Sequence, residues 1–402
     1  MVSIQLFNQQ RLDSPQIDLS ALRQYRLQRL RQELIARDIP ACILLSPISL
    51  RYAVDFREYP LFQSHIPMFY LFIAAQGPVV MHGSSHQTCE LVNEYRPSVG
   101  FNPFDSGLEL NTAASRFAQD VRIFLQDLGV HDRSPQIAVE SMPADVFGAL
   151  KSQGMKLINA EALVESAKSI KSEQEIACMK HSIAVAEFGI HHMRQAMVPG
   201  VTENQLWSIL HQVNIAHDGD WMEGRMMASG PRTNPWLQEA SDRVIQDGEL
   251  VAFDTDMLGP FGYCADISRT WLCGDKKPTA AQREVYRHAY EEVQHNTAQI
   301  QPGMRFSELI RRIYPRGEEF IAHRYPCAFH GVGMSDEYPK LYYPEDAERQ
   351  YEGVIESNMV LCVESFTGSV HGGEGVKLEQ MVRVTETGTE VLSSYPYECQ
   401  LI

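Results

Sequence analysis

The chain has 402 residues, 44% of them hydrophobic and 21% charged, with a formal net charge of −16. That length exceeds one ordinary core and that apolar content excludes a disordered chain, so two or three globular domains are expected. The acidic balance argues against nucleic acid as a partner, because no basic field exists to attract phosphates.

The first residues, MVSIQLFNQQRLDS, lack a basic segment followed by an apolar run, so no secretory leader is read there. No stretch approaches the roughly eighteen uncharged apolar residues of a membrane helix. The eight cysteines are scattered without a CxxC pair, which reads as reduced thiols in a cytoplasmic protein, not a disulfide framework or zinc ribbon.

From about 20 to 160 helical and strand patterns alternate. LSALRQYRLQRLRQELIARDI carries Leu22, Tyr25, Leu30 and Leu34 at near-helical spacing, and ACILLS follows as a buried strand. FYLFIAAQGPVVMHG reads as two strands broken at Gln76-Gly77-Pro78, TAASRFAQDVRIFLQDLG as a helix ending in Gly129, and QIAVES as a further strand. These elements make a small α/β domain over 1–165.

The second domain, 166–402, opens with AKSIKSEQEIACMKHSIAVAEFGIHHMRQAMVPG, where Ile176, Met179, Ile183 and Ile190 form a helical stripe ending before Pro199-Gly200. TENQLWSILHQVNIAHDG is a second helix, with Thr202 and Gln205 spaced as a capping box. Strands are expected around 250–257, 262–273, 357–364 and 376–385, with AAQREVYRHAYEEVQHNTAQI as a helix between them. The acidic YPEDAERQYE reads as a solvated loop.

The chemistry concentrates in FDTDMLGPFGYCADISRT. Asp254 and Asp256 stand two apart on an expected strand and so share a face, and Asp266 lies on the returning strand. Buried carboxylates must be neutralised, hydrogen-bonded or bound to a cation. The flanking Phe253, Met257, Phe261 and Ile267 disfavour a solvated acidic strand, and no glycine-centred Asp ladder marks a calcium loop. CAFHGVGMSDEYP adds His330 before a Gly-rich turn, then Asp336 and Glu337. MVLCVESF and GVKLEQMVRV end two apolar runs in Glu364 and Glu379. Five carboxylates against two divalent cations leave a near-balanced cluster, and an oxygen-rich set with one imidazole suits manganese, iron, cobalt or zinc.

The order Asp…Asp…His…Glu…Glu at these spacings, with KSIKSEQEI ahead of it, resembles the pita-bread family of methionine and X-Pro aminopeptidases, prolidase and creatinase. The resemblance covers essentially the whole chain and implies an N-terminal creatinase-like α/β domain followed by an α+β pita-bread catalytic domain. It makes Asp266, His330, Glu364 and Glu379 metal ligands, with Asp254 and Asp256 sharing the role of the family's first aspartate, and it implies a homodimer. The chain departs from the peptidases at three points: Thr255 stands where they carry the first aspartate, and Trp236 and Glu337 stand where they carry two histidines. Lys377 also replaces the usual arginine.

ASGPRTNPW, FDTD, DISRTW, HGVGMSDE, MVLCVE and KLE are instead similar to the metal-dependent dimethylsulfoniopropionate lyase branch. That branch implies a β-elimination giving dimethyl sulfide and acrylate, Asp336 as the base, and a small zwitterionic substrate. Aromatic faces suit its sulfonium, at roughly 0.5–2 kcal/mol each. Tyr325, Tyr263, Trp236 and Phe62 are the candidates; Phe62 stands where the lyases tend to have tryptophan. Rival readings are a dinuclear C–N hydrolase (an X-Pro dipeptidase or creatinase-like amidinohydrolase), a lyase relative acting on another zwitterion, and a pseudoenzyme scaffold.

Overall fold

The computed structural model describes residues 11–83 and 87–402, so the leader reading of the opening stretch falls, for positions 1–10, outside the described residues. The chain forms two compact units, Asp18–Lys168 and Ser169–Ile402, with the described residues before Asp18 grouped with the second. Among the described residues no helix is long and apolar enough to cross a membrane.

The first unit is a six-stranded sheet flanked by helices. Its strand order is Glu94–Arg96, Val79–His82, Tyr70–Ala74, Ala41–Leu44, Gln136–Val139, Lys156–Asn159. Asp18 caps the helix Leu19–Ala36 by accepting from the Ala21 amide. The helix Asn111–Asp127 buries Phe117, Val121 and Phe124 against Ile43, Phe72 and Ile137 of the sheet. It ends before Gly129, whose φ of +77° is the left-handed turn that glycine adopts without strain. The edge strands Glu94–Arg96 and Lys156–Asn159 escape the sequence reading because they are only three and four residues long, and the adjacent Leu157 and Ile158 of the second give no apolar alternation.

In the second unit the helices Glu173–Ala196, Glu203–Ala216 and Ala280–Gln299 each begin in a complete capping box, at Ser172/Glu175, Thr202/Gln205 and Thr279/Gln282. A three-stranded sheet runs Ser268–Leu272, Leu250–Asp254, Met227–Ser229; a five-stranded antiparallel sheet runs Asp336–Leu341, Phe329–Val332, Val360–Thr367, Val376–Val384, Thr389–Val391. One core holds both together: Leu250 and Leu272 from the first sheet join Leu361, Val363 and Leu378 from the second, under Tyr286 and Val293 of the helix Ala280–Gln299.

The alternation of the two central strands sets the site. In Val360–Thr367, Leu361 and Val363 enter that core and Ser365 reaches Glu292 on the helix, so Cys362 and Glu364 face the other way. In Val376–Val384, Leu378 and Val382 enter the core and Gln380 reaches Thr297, so Lys377, Glu379 and Met381 share the face of Glu364. Every residue of Val360–Thr367 is buried, which is why the strand reads as one unbroken apolar run. Two expectations need correction. Glu364 and Glu379 are not at strand ends; they are mid-strand and directly paired across the ladder. The expected strands 250–257 and 262–273 are each interrupted, at Thr255–Asp256 and at Asp266–Ile267.

Candidate metal centre

Asp254 is the last residue of its strand, and the chain then kinks: Asp256 sits at φ +35°, a left-handed conformation that is strained for a non-glycine residue. Asp254 and Asp256 are therefore not aligned by strand alternation, as the sequence suggests. The kink is pinned by Thr255, whose buried hydroxyl donates to Ala265 O at 2.7 Å and accepts from the Ile267 amide at 2.9 Å. That crosslink ties both arms of the hairpin, and one carboxylate oxygen from each of Asp254, Asp256 and Asp266 lies within 4.8 Å of the others.

The second half of the centre comes from the five-stranded sheet. His330 Nε2 lies 3.1 Å from Glu364 Oε1, 3.5 Å from Asp266 Oδ2 and 3.8 Å from Glu379 Oε1. Its Nδ1 is 3.0 Å from Gly331 O, and because a carbonyl only accepts, Nδ1 carries a proton and Nε2 is the nitrogen turned toward the carboxylate oxygens. With a metal bound, Nε2 would be the nitrogen that ligates it. The glycines after the histidine are required for space: a Cβ on Gly331 would meet Tyr338 O at 2.4 Å, and one on Gly333 would meet the Glu337 carboxylate at 2.6 Å.

Lys377 occupies the heart of the cluster, fully buried, with Nζ donating to Glu364 Oε2 at 2.6 Å, Ser268 Oγ at 2.7 Å and Glu379 Oε2 at 3.1 Å and ion-paired with Asp254 Oδ2 at 2.9 Å. The sequence reading gives it only as a replacement for arginine, with no role. The signal is available: Lys377 is two residues before Glu379 on a strand, hence on the same face. Its charge closes the balance, since five carboxylates, one ammonium and two divalent cations sum to zero. Cys362 and Met381 are missed for the same reason. Cys362 Sγ donates to Asp266 Oδ2 at 3.3 Å, and Met381 Sδ accepts from the Asp266 amide at 3.3 Å.

Burial pushes Asp254 upward against the pull of Lys377, and pushes Asp256 and Asp266 well above the usual carboxylate range together with their acidic neighbours. Glu364 is pushed up to about 8 by burial and by repulsion from Glu379, with Lys377 opposing. Burial acts to raise Glu379 as well, but the charges of Lys377 and His330 hold it below the usual range. For His330 burial disfavours the imidazolium, yet Asp336 and Glu364 outweigh it and hold the group well above the ordinary histidine value. Even so, Asp254 Oδ1, Asp266 Oδ1 and Glu379 Oε1 are buried without a hydrogen-bond partner. Orphaned anionic oxygens in a dry site are the mark of a cation position, and the donor set fits divalent metal.

The remaining candidates fall into three places. Asp336 stands at the rim, its Oδ1 3.6 Å from His330 Nδ1 and its side chain 67% exposed, so its carboxylate is open to solvent. Glu337 turns inward to Lys171 Nζ at 2.9 Å and accepts from the Met334 amide, supporting the turn that presents Asp336. Tyr325 and Trp236 share a small apolar cluster with Phe366, and Lys377 Nζ lies 4.4 Å from the Tyr325 ring centroid. Lysine thus already takes one face of the ring read as a sulfonium wall. Tyr263 is buried with its hydroxyl donating to Glu175 at 3.0 Å, which fastens the hairpin to the helix Glu173–Ala196. Phe62 belongs to the first unit, where its ring packs against His65 and Phe104.

Residues 177–386 match the model of metallopeptidase family M24. The chain is 36% identical over 396 residues to the dimethylsulfoniopropionate lyase DddP of Roseovarius nubinhibens, covering 96% of this chain and 88% of that one. It is 36% identical over 403 residues to the dimethylsulfoniopropionate lyase DddP of Roseobacter denitrificans, covering 98% and 89%. Among solved structures, the Xaa-Pro dipeptidase from Bacillus anthracis superposes with a TM-score of 0.74 at 22% identity, covering 94% and 99%, and the prolidase from Pyrococcus furiosus with 0.68 at 19%, covering 90% and 99%. Those likenesses carry the fold: a creatinase-like α/β unit and a pita-bread catalytic unit. The chain belongs to metallopeptidase family M24.

Proposed function

We propose that this protein is a metal-dependent carbon–sulfur lyase that eliminates dimethyl sulfide from dimethylsulfoniopropionate and leaves acrylate. One observation favours this reading over hydrolysis. The two positions that hold histidine in the peptidases are Trp236, stacked on Phe366, and Glu337, tied to Lys171, while Asp336 is open beside His330. The groups that would polarise a peptide carbonyl are gone, and a carboxylate base stands in reach of the centre. The 36% identity to two proteins named as this lyase supports the same reading.

Asp254, Asp256, Asp266, His330, Glu364 and Glu379 would hold the metal, two divalent cations by the charge count, drawn from iron, manganese, zinc or cobalt. When bound, such cations supply Lewis acidity to the substrate carboxylate and stabilise the negative charge that develops on it. Asp336 Oδ takes the proton from the carbon next to that carboxylate. The electron pair of the broken C–H bond forms the carbon–carbon double bond, and the C–S bond breaks with its pair leaving on sulfur. Exposure lets Asp336 pass the proton to water afterwards. Trp236 and Tyr325, which share one apolar cluster, would offer a wall to the sulfonium. Lys377 holds one oxygen of Asp254, Glu364 and Glu379, which orients the other oxygen of each toward the cations. The reading carries with it a homodimer, a cytoplasmic location and division at 165/166.

The alternative is a C–N hydrolase, favoured by the family's fold and by Glu364, a carboxyl near the middle of the cluster raised to about 8 by burial and thus able to shuttle a proton. Headspace gas chromatography of metal-analysed protein with dimethylsulfoniopropionate separates the two. Dimethyl sulfide from the wild type and none above background from Asp336→Ala is expected. No gas from protein holding two metals per chain would sink the lyase reading and direct assays to Xaa-Pro dipeptides.

A further inference from the structure

Cys362 is the direct ladder partner of His330 and precedes Glu364 by two residues, so its thiol faces the acid centre. Its Sγ is 3.3 Å from Asp266 Oδ2, which is 3.5 Å from His330 Nε2, which in turn is 3.8 Å from Glu379 Oε1. One donor atom from each of these four residues lies within 4.8 Å of the rest, and all four residues are buried. A tetrahedral cation with bonds of about 2.0–2.3 Å spaces its donors by about 3.3–3.8 Å. The three edges quoted above fall in that range. An independent sign that a cation belongs here is that Asp266 Oδ1 and Glu379 Oε1 are buried without partners.

We propose that Cys362 is a thiolate donor to the metal held by Asp266, His330 and Glu379, which makes this half of the centre a mixed sulfur, nitrogen and oxygen site. The inference rests on the metal-centre reading above and adds a ligand that the six-residue set lacks. Forming the sulfur–metal bond releases the thiol proton to water; no oxidant or reductant is involved. With the thiolate counted, six anionic donors, one ammonium and two divalent cations leave the centre at about −1. Such a half-site selects zinc, cobalt or iron over magnesium and the harder cations, because thiolate is a soft donor.

Cobalt(II) loaded into the metal-free protein tests this with two separate signals. Ligand-field bands in the visible report any occupied site, whereas a sulfur-to-cobalt charge-transfer band in the near ultraviolet reports thiolate alone. Both are expected in the wild type, with the charge-transfer band lost in Cys362→Ser and kept in Cys399→Ser, whose thiol is exposed. Ligand-field bands without the charge-transfer band, or a band that survives Cys362→Ser, overturn the role of Cys362 and leave the metal centre standing. Absence of cobalt uptake overturns both. If Cys362→Ser does not fold, X-ray absorption at the zinc edge of the wild type decides: one sulfur at about 2.3 Å supports the assignment, and a shell of oxygen and nitrogen only removes it.

Discussion

The strand Val360–Thr367 has buried charge packed on both sides, and the two sides are built differently. On the helix side Ser365 donates to Glu292, and Glu292 is matched by Arg316, whose Nε donates to it at 3.0 Å and whose Nη1 donates to Phe366 O at 2.8 Å. One acid meets one base, and each oxygen of Glu292 has a donor. On the other side Glu364 belongs to a group of five carboxylates, three of which pair with one lysine, and three of their oxygens have no hydrogen-bond donor. Glu292 and Glu364 are both fully buried against the same strand, so the difference lies in stoichiometry. A matched pair holds the fold together; an unmatched excess of acid reserves space for cations.

Removing a carboxylate from the unmatched side breaks the comparison hardest. Asp266→Ala is expected to abolish activity, a larger loss than the roughly 10–100-fold of an outer partner. Elemental analysis should find at least one metal fewer per chain, and a chelator should reproduce the effect in the wild type. Full metal content in Asp266→Ala would show that the orphaned oxygens reserve nothing. Next in size is Asp336→Asn, which should lower kcat by about 10²–10⁴-fold with metal content unchanged, as expected for loss of a positioned base. A parallel fall in metal content would make Asp336 a ligand instead.

Two cation removals then compare the faces directly. Arg316→Met strips the base from a matched buried pair and should cost about 3–5 kcal/mol in unfolding free energy, with metal stoichiometry unaltered. Lys377→Met should weaken metal affinity by roughly 10–100-fold, and its penalty in melting temperature should be larger in chelated protein than in metal-loaded protein. Equal penalties in the two states would assign Lys377 to the fold alone.

What the sequence makes legible follows from the same distinction. Asp254, Asp256, Asp266, His330, Glu364 and Glu379 announce themselves because a carboxylate or imidazole inside an apolar run is costly without a partner. The capping box at Thr202 and the glycine end at Gly129 are local signals and are read from local spacing. Lys377 and Cys362 stay silent because a buried lysine or thiol gains its meaning from what lies across the ladder, and pairing register is set by long-range contacts. The kink at Asp256 is likewise invisible: nothing in FDTDM marks φ +35°, which the Thr255 crosslink to Ala265 and Ile267 imposes. The edge strands of the first unit fail for the plainest reason, since three or four residues are too few to show an alternating pattern.

The smallest effect tests the comparison on one residue type. His330 is buried among acids and held above its ordinary range, whereas His82, in the sheet of the first unit, is buried among rings: Tyr70 stacks on it at 4.7 Å and Phe72 lies 4.4 Å away. Burial lowers His82 to about 4, helped by the charge of Arg96 and only partly opposed by the hydrogen bond to Pro97 O and the charge of Glu94. Because the folded group is the weaker proton binder, the unfolded chain takes up the extra proton as acidity rises. The stability contributed by neutral His82 is therefore complete above the unfolded value of about 6.5, falls as pH drops through that value toward about 4, and falls no further below. At pH 5 the loss is roughly 1–2 kcal/mol. Denaturant titrations of wild type and His82→Gln at pH 7 and pH 5 measure it, the acid centre contributing equally to both proteins. The wild type should lose more stability than the variant across that interval. Equal losses would mean that His82 already carries a proton in the folded protein, and that burial alone does not separate the two histidines.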